Sequence, residues 1–179
     1  KPGDIIAIGE TPLAIMQGRY IHPESLNIEP LSRFLCKVFH PTSSLATACG
    51  MQTLIDASGP TRVVIAWLIA SILKSIGIKG FFYRLAGSEA RLIDDITGTT
   101  PPYDQMIVLG PKGADKICEK VSSQLKIHSA VVDVNDLGAV KILAASKGFN
   151  ADHLKNLLRT NPAGNANQQT PFVLLRPVS

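Results

Sequence analysis

A strand–helix–strand pattern in the second half of the chain constrains its fold more than any other feature. QMIVLG (Gln105 to Gly110) is a short apolar run closed by glycine, and HSAVVDV (His128 to Val134) is a second apolar run. Between them, Gly113 to Leu125 carries Ile117, Val121 and Leu125 four residues apart. That spacing lays one apolar stripe along a helix, while an unbroken β-branched run reads as a strand buried on both faces. Two strands joined through such a helix are expected to lie parallel, with a right-handed crossover. The expectation is a mixed α/β (α+β) fold, with residues 1–179 forming one domain long enough to bury a sizeable core.

The remaining punctuation fills in around this unit. GDIIAIG (Gly3 to Gly9) reads as another buried strand, and Glu10 to Gln17 as a turn followed by a short helix or second strand ending at Gly18. Pro30 opens a helix in which Leu31, Phe34, Leu35 and Val38 share a face and Pro41 stops the run. Ser44 to Ile55 is a weaker helical segment, and Ser58-Gly59-Pro60 separates it from the apolar run beyond. GFFYRLAG and EARLID read as strands of a β-hairpin turning at Gly87-Ser88, ahead of the polar loop Asp94 to Asp104. Helices are expected over Ala139 to Ser146 and, capped by Asn150, over Ala151 to Arg159, with a last strand at Pro171 to Pro177.

Val63 to Ile78, VVIAWLIASILKSIGI, is apolar almost all round. Its uninterrupted apolar core is shorter than the ~18–20 residues a membrane span requires. Lys74 lies inside it, and Arg62 and Lys79 flank it. A buried helix is the expected reading, ahead of a helix lying on a membrane or on a partner.

Composition narrows the function classes. Hydrophobic residues make up 45% and charged residues 18%, which excludes a disordered chain. The net charge is +4 without any basic arm, and aromatic residues are only 6%, so nucleic acid is not an expected partner. Small phosphate-bearing molecules suit this mild positive balance. Cys36, Cys49 and Cys118 lie far apart without a CxxC pair, which reads as reduced, buried thiols in a cytoplasmic protein. The opening at Lys1, within a strand approach, reads as an N-terminal truncation with any upstream targeting segment lost.

The candidate chemistry is carboxylate-based. Asp133 stands at the carboxyl end of an apolar strand expected to be parallel, the edge at which open α/β sheets gather ligands. Asn135 and Asp136 add oxygen donors for a hard cation, and Asp94 and Asp95 close another short strand. Should the two strand ends meet, their like charges would need a metal or a proton to coexist. The bland alternative for Asp133, Asn135 and Asp136 is an Asx turn capping a helix that starts near Leu137. An EF-hand is excluded, because its fifth and twelfth positions fall on Leu137 and Ala144, and no GxxxxGK[ST] or GxGxxG is present. Thr97, Gly98, Thr99 and Thr100 could offer hydroxyls and backbone N–H groups to a phosphate, and Lys112-Gly113 precedes a helix N-terminus. Arg84 and Arg91 are weaker phosphate candidates, and the four histidines show no ligand or triad spacing.

In chain order, GDIIAIGETPLAIMQGR, ARLIDDITGT, YDQMIVLGPKGADKICEKV and AVVDVNDLG resemble the coenzyme F420-0:gamma-glutamyl ligase family. Gln17-Gly18-Arg19 is similar to its Glu-Gly-Arg element, Ile93-Asp94 to its Ile-Asp-x-Ser-Asn element, and Asp133 to its Asp-x-x-Gly-Arg. The resemblance implies a GTP- and metal-dependent ligase, cytoplasmic and homodimeric, that joins the amine of L-glutamate to a carboxylate through an acyl phosphate. It implies Mg²⁺ or Mn²⁺ at Asp133 and Asp94 (or Asp95); Arg19, Lys112, Thr97 and Thr99 are the residues expected to contact the nucleotide. LAIM replaces the family's lysine-bearing stretch, Asp136 and Leu137 stand where its Gly-Arg would be, and the apolar helix and hairpin are insertions. A non-catalytic descendant that binds a nucleotide or serves as an interaction module is the alternative expectation.

Overall fold

The computed structural model describes residues 1, 3–96, 101–134, 138–148, 150–164 and 170–176. Its elements run β1 (Ile5–Gly9), α1 (Glu10–Met16), β2 (Tyr20–Ile21), α2 (Pro30–Leu35), α3 (Ala48–Ser58), α4 (Pro60–Ser75) and α5 (Phe81–Leu85). They continue with β3 (Ile107–Val108), α6 (Ala114–Leu125), β4 (His128–Val134), β5 (Val140–Ala145), α7 (Ala151–Leu158) and β6 (Phe172–Leu175). The chain divides into two compact units. Unit 1 comprises Lys1–Arg19, Thr99–Pro102 and Pro111–Ser179, and unit 2 comprises Tyr20–Gly98 and Tyr103–Gly110.

Unit 1 is built on a mixed four-stranded sheet in the order β5-β4-β1-β6. The two inner strands are the two unbroken apolar runs, as burial on both faces demands. They lie parallel, with Ile5 opposite His128 and Gly9 opposite Val132, while β6 and β5 flank them antiparallel. One face of the sheet, with Ile5, Ala7, Ala130 and Val132, packs on Leu154 and Leu158 of α7. The other, with Ile8, Val131 and Ala144, packs on Leu13 of α1 and on Ile117, Cys118 and Val121 of α6. Alternate side chains of each inner strand thus enter opposite cores. Asn150 starts α7, its Oδ1 accepting from the N–H groups of Asp152 (3.1 Å) and His153 (3.2 Å).

One ion pair, buried on its carboxylate side and open on its arginine side, ties the outer strand to the inner one. The Arg176 Nε donates to Asp4 Oδ1 at 3.0 Å and its second nitrogen to Oδ2 at 2.7 Å, a bidentate pair joining the start of β1 to the end of β6. Asp4 is only 2% exposed. The guanidinium beside it holds its carboxyl well below the usual carboxylate range.

Unit 2 is mostly helical. Its core gathers Met51, Leu54 and Ile55 of α3 with Leu35, Leu45, Val63, Ala66, Phe82, Ala86, Ala90, Ile93 and Ile107. Thr47 caps α3 by accepting from the Gly50 N–H at 3.0 Å, and a Cβ on Gly50 would collide with the Ser44 carbonyl oxygen. Phe39, Phe82 and Tyr83 stack edge to face. A two-stranded antiparallel pair joins Tyr20 to Val108 and Ile21 to Ile107.

Four expectations need correction. The run 105–110 supplies only the two-residue β3, which pairs antiparallel with β2, and the parallel neighbour of β4 is β1. Ile5–Gly9 can pair along five residues, a longer ladder than Ile107–Val108 offers. The hairpin over 80–95 is instead α5 and a 3-10 turn at Ser88–Arg91. Its buried residues, Phe82, Ala86, Ala90 and Ile93, recur every three or four positions, which is a helical period and not an alternation. The helix expected over 139–146 is the strand β5, because ladder pairing with β4 overrides the helix propensity of its alanines. A bulge between Val131 and Val132 absorbs Leu143 in that ladder. Finally, the apolar helix α4 is not enclosed: only Val63 and Ala66 are buried in it.

Leu154→Ala, which empties part of the core under the sheet, is expected to lower stability by about 2–5 kcal/mol in urea unfolding. Asp4→Asn is expected to lower stability at neutral pH. A depressed folded pKa stabilises above the unfolded value of about 3.9 and is lost as pH falls through the lower folded value. The gap between variant and parent should therefore close in acid melts below about pH 4.

Candidate functional site

In unit 1 the parallel pair presents its carboxyl edge just beyond Gly9 and Val132, and Asp133 is the next residue of β4. Asp133 lies opposite Lys141 on β5, and its Oδ2 is 3.9 Å from the lysine Nζ. Both side chains are about half exposed, so this is a loose cross-strand ion pair of small energetic weight, ~0–1 kcal/mol. The carboxylate is open to solvent and can offer oxygen to a hard cation.

The segment before α6 belongs to the same edge. Two residues join α6 to β4, and the Ser129 hydroxyl donates to the Cys118 carbonyl at 2.6 Å, so the helix runs back along the strand. Lys112-Gly113 thereby lies toward the end of β4 that carries Asp133. Gln17, just past α1, fastens this segment: its amide donates to the Lys112 carbonyl and accepts from the Lys112 N–H, both at 2.8 Å. Gly18 comes next in the chain with φ of 68°, and the Arg19 N–H returns to the Ala14 carbonyl at 2.9 Å. A left-handed glycine is what lets the chain reverse so tightly here. Lys112, one of the expected phosphate-contact residues, is thus tied through its main chain to the turn that leads into Arg19, another.

In unit 2, Asp94 is an exposed residue whose backbone closes the strand pair, exchanging hydrogen bonds with Val108 at 2.8 and 2.9 Å. Its place is set by main-chain pairing. Asp95 is half-buried, and its Oδ1 is enclosed without a hydrogen-bond partner among the described residues. Burial, and then the Asp95 carboxylate, push the Cys49 thiol up, which disfavours a thiolate nucleophile. Burial likewise raises Cys118. Arg84 lies over the Phe81 ring, 5.4 Å from its centroid, and with the hairpin gone it shares no strand face with Arg91.

Thr97, Thr99, Asn135 and Asp136, expected at the phosphate and metal sites, lie outside the described residues. Among the described residues no group of three or more His, Cys, Asp or Glu side chains is arranged to hold a metal ion. Sequence reasoning missed the Gln17 clamp and the Asp4–Arg176 pair. The first had a signal in the Gln-Gly-Arg element itself. The second joins residues 172 positions apart and had none.

No protein-family model matches this chain, and no curated protein matches it significantly.

Gln17→Ala is expected to leave the fold intact but release the Lys112 segment. Amide hydrogen exchange at Lys112 should speed up by about ten-fold or more, consistent with local opening, while exchange in β4 stays unchanged.

Proposed function

We propose that this protein is a nucleotide-dependent carboxylate–amine ligase related to the coenzyme F420-0:gamma-glutamyl ligases, with its phosphate-binding edge in unit 1. The observation behind this reading is the carboxyl edge of the parallel β1–β4 pair, which carries Asp133, together with the hydrogen bonds by which Gln17 ties the segment before α6 to the end of α1. That edge is where ligands bind in open α/β sheets, and Asp133 stands exposed on it. The order of the four sequence motifs gives the same reading.

On this reading the nucleotide is GTP and the reaction has two steps. The terminal phosphoryl group passes from GTP to the acceptor carboxylate, giving an acyl phosphate and GDP. The amine of an amino acid, L-glutamate by resemblance, then attacks the acyl carbon, and inorganic phosphate leaves as the amine loses its proton. Lys112 and Arg19 hold the phosphates and offset their charge. A divalent cation, Mg²⁺ or Mn²⁺, at Asp133 would supply further neutralisation of phosphate charge. Asp133 would hold that ion, and Gln17 fixes the main chain at Lys112.

A second reading, a non-catalytic descendant that binds a nucleotide, draws on the Asp133–Lys141 pair, since Lys141 already satisfies part of the carboxylate's charge. Calorimetric titration of GTP with and without Mn²⁺ separates the two. The ligase reading expects Mn²⁺-linked GTP binding that weakens by about ten-fold or more in Asp133→Ala, together with phosphate release when L-glutamate and a carboxylate acceptor are added. Absence of Mn²⁺-linked binding would sink it, and metal-linked binding with no turnover would assign the descendant.

A further inference from the structure

Helix α4 carries two apolar faces, and unit 2 uses only one. Val63 and Ala66 are buried, with Trp67 and Ala70 packed partly against the same core. The opposite face displays Ile65, Leu68, Ile69 and Ile72, with Ile76 beyond them at the helix end, each between 40% and 67% exposed. Their spacing of i, i+3, i+4, i+7 and i+11 makes one continuous stripe, the pattern a helix ordinarily turns towards a core. Ile78, beyond the Gly77 turn, is exposed as well. A patch of this kind marks an interaction site.

The charges around the stripe identify what covers it. From Ala57 to Ser88 every charged residue is basic and exposed: Arg62 lies three residues before Ile65 and Lys79 directly after Ile78, at the two ends of the stripe, while Lys74 follows the row of Val63, Trp67 and Ala70 and Arg84 lies over the Phe81 ring. Two copies meeting through this face would bring same-sign charges together with no acid on the segment to offset them. An anionic lipid surface instead takes the isoleucines and leucine into its acyl boundary and the end cations Arg62 and Lys79 at its headgroups. The helix cannot cross a bilayer. Its 16 residues span about 24 Å, short of the roughly 30 Å hydrocarbon core. The neighbouring α3 is bent from it by 113° and is itself buried in unit 2.

We infer that α4 is an interfacial helix through which unit 2 docks on anionic phospholipid membranes, lying in the plane of the surface and not spanning it. The stripe and its basic flanks are independent of the carboxylate edge proposed as the ligase site, so either reading can fail alone.

Co-sedimentation with vesicles tests this, using phosphatidylcholine alone and phosphatidylcholine with about one quarter phosphatidylglycerol. The protein is expected to pellet with the anionic vesicles and several-fold less with the neutral ones, and raising the salt should weaken binding, as screening demands. Ile72→Glu should reduce binding by about ten-fold or more, and Lys79→Glu should reduce it on anionic vesicles. All of these positions are exposed, so circular dichroism should report an unchanged fold. Failure to pellet with anionic vesicles, equal binding to both lipids, or binding indifferent to Ile72→Glu would overturn the inference. So would a dimer, in the absence of vesicle binding, that Ile72→Glu dissolves, because it would assign the face to a second copy.

Discussion

Burial of both faces of β1 and β4 is the constraint on which unit 1 depends. Neither strand has a solvent side, so each must be flanked by further strands and covered above and below. β5 and β6 supply the flanks. α7 closes one face through Leu154 and Leu158, and α1 with α6 closes the other through Leu13, Ile117, Cys118 and Val121. The polar groups that this burial strands are satisfied locally. Ser129 bonds through its hydroxyl to Cys118 and through its N–H to Ser146, and Asp4 is matched by the fork of Arg176. An unpaired carboxylate at Asp4 would carry a desolvation penalty that the rest of the sheet could ill absorb.

The same arrangement creates the chemical edge. Parallel strands end together, so the register that sets Gly9 against Val132 also brings the residues after both strands to one rim. Asp133 is exposed there, while its neighbour Val134, on the other face, still packs against the α7 core. Gln17 fastens the main chain of Lys112 to the end of α1 by two hydrogen bonds, although the two stretches are 95 residues apart.

Unit 2 meets a different problem. A helix that is apolar all round can be enclosed only by neighbours on every side, and a unit of this size offers a core to one face of α4. The remaining stripe is left to solvent together with its basic neighbours. The Phe34 ring, itself exposed, meets Trp67 edge to face at 5.9 Å and extends the apolar surface without covering the stripe.

Strongly patterned segments were readable directly. The inner strands Ile5–Gly9 and His128–Val134, the amphipathic α6, the Asn150 cap and the terminal strand β6 are set by local period and punctuation, because each residue's partner is fixed by its own spacing. Asp133 was legible as a strand-end carboxylate for the same reason. Pairing was not. That β4 takes β1 as its parallel neighbour, that 140–145 is a strand, and that Asp4 meets Arg176 are choices among distant partners, decided by which pairing buries the most surface with every polar group satisfied. Likewise the apolar character of α4 is written in its residues, while the number of faces that find a core depends on how much protein surrounds it. The sequence by itself determined which segments must be buried and which residue types can bind charge; only the tertiary structure decided what each is buried against, because burial is a property of neighbours.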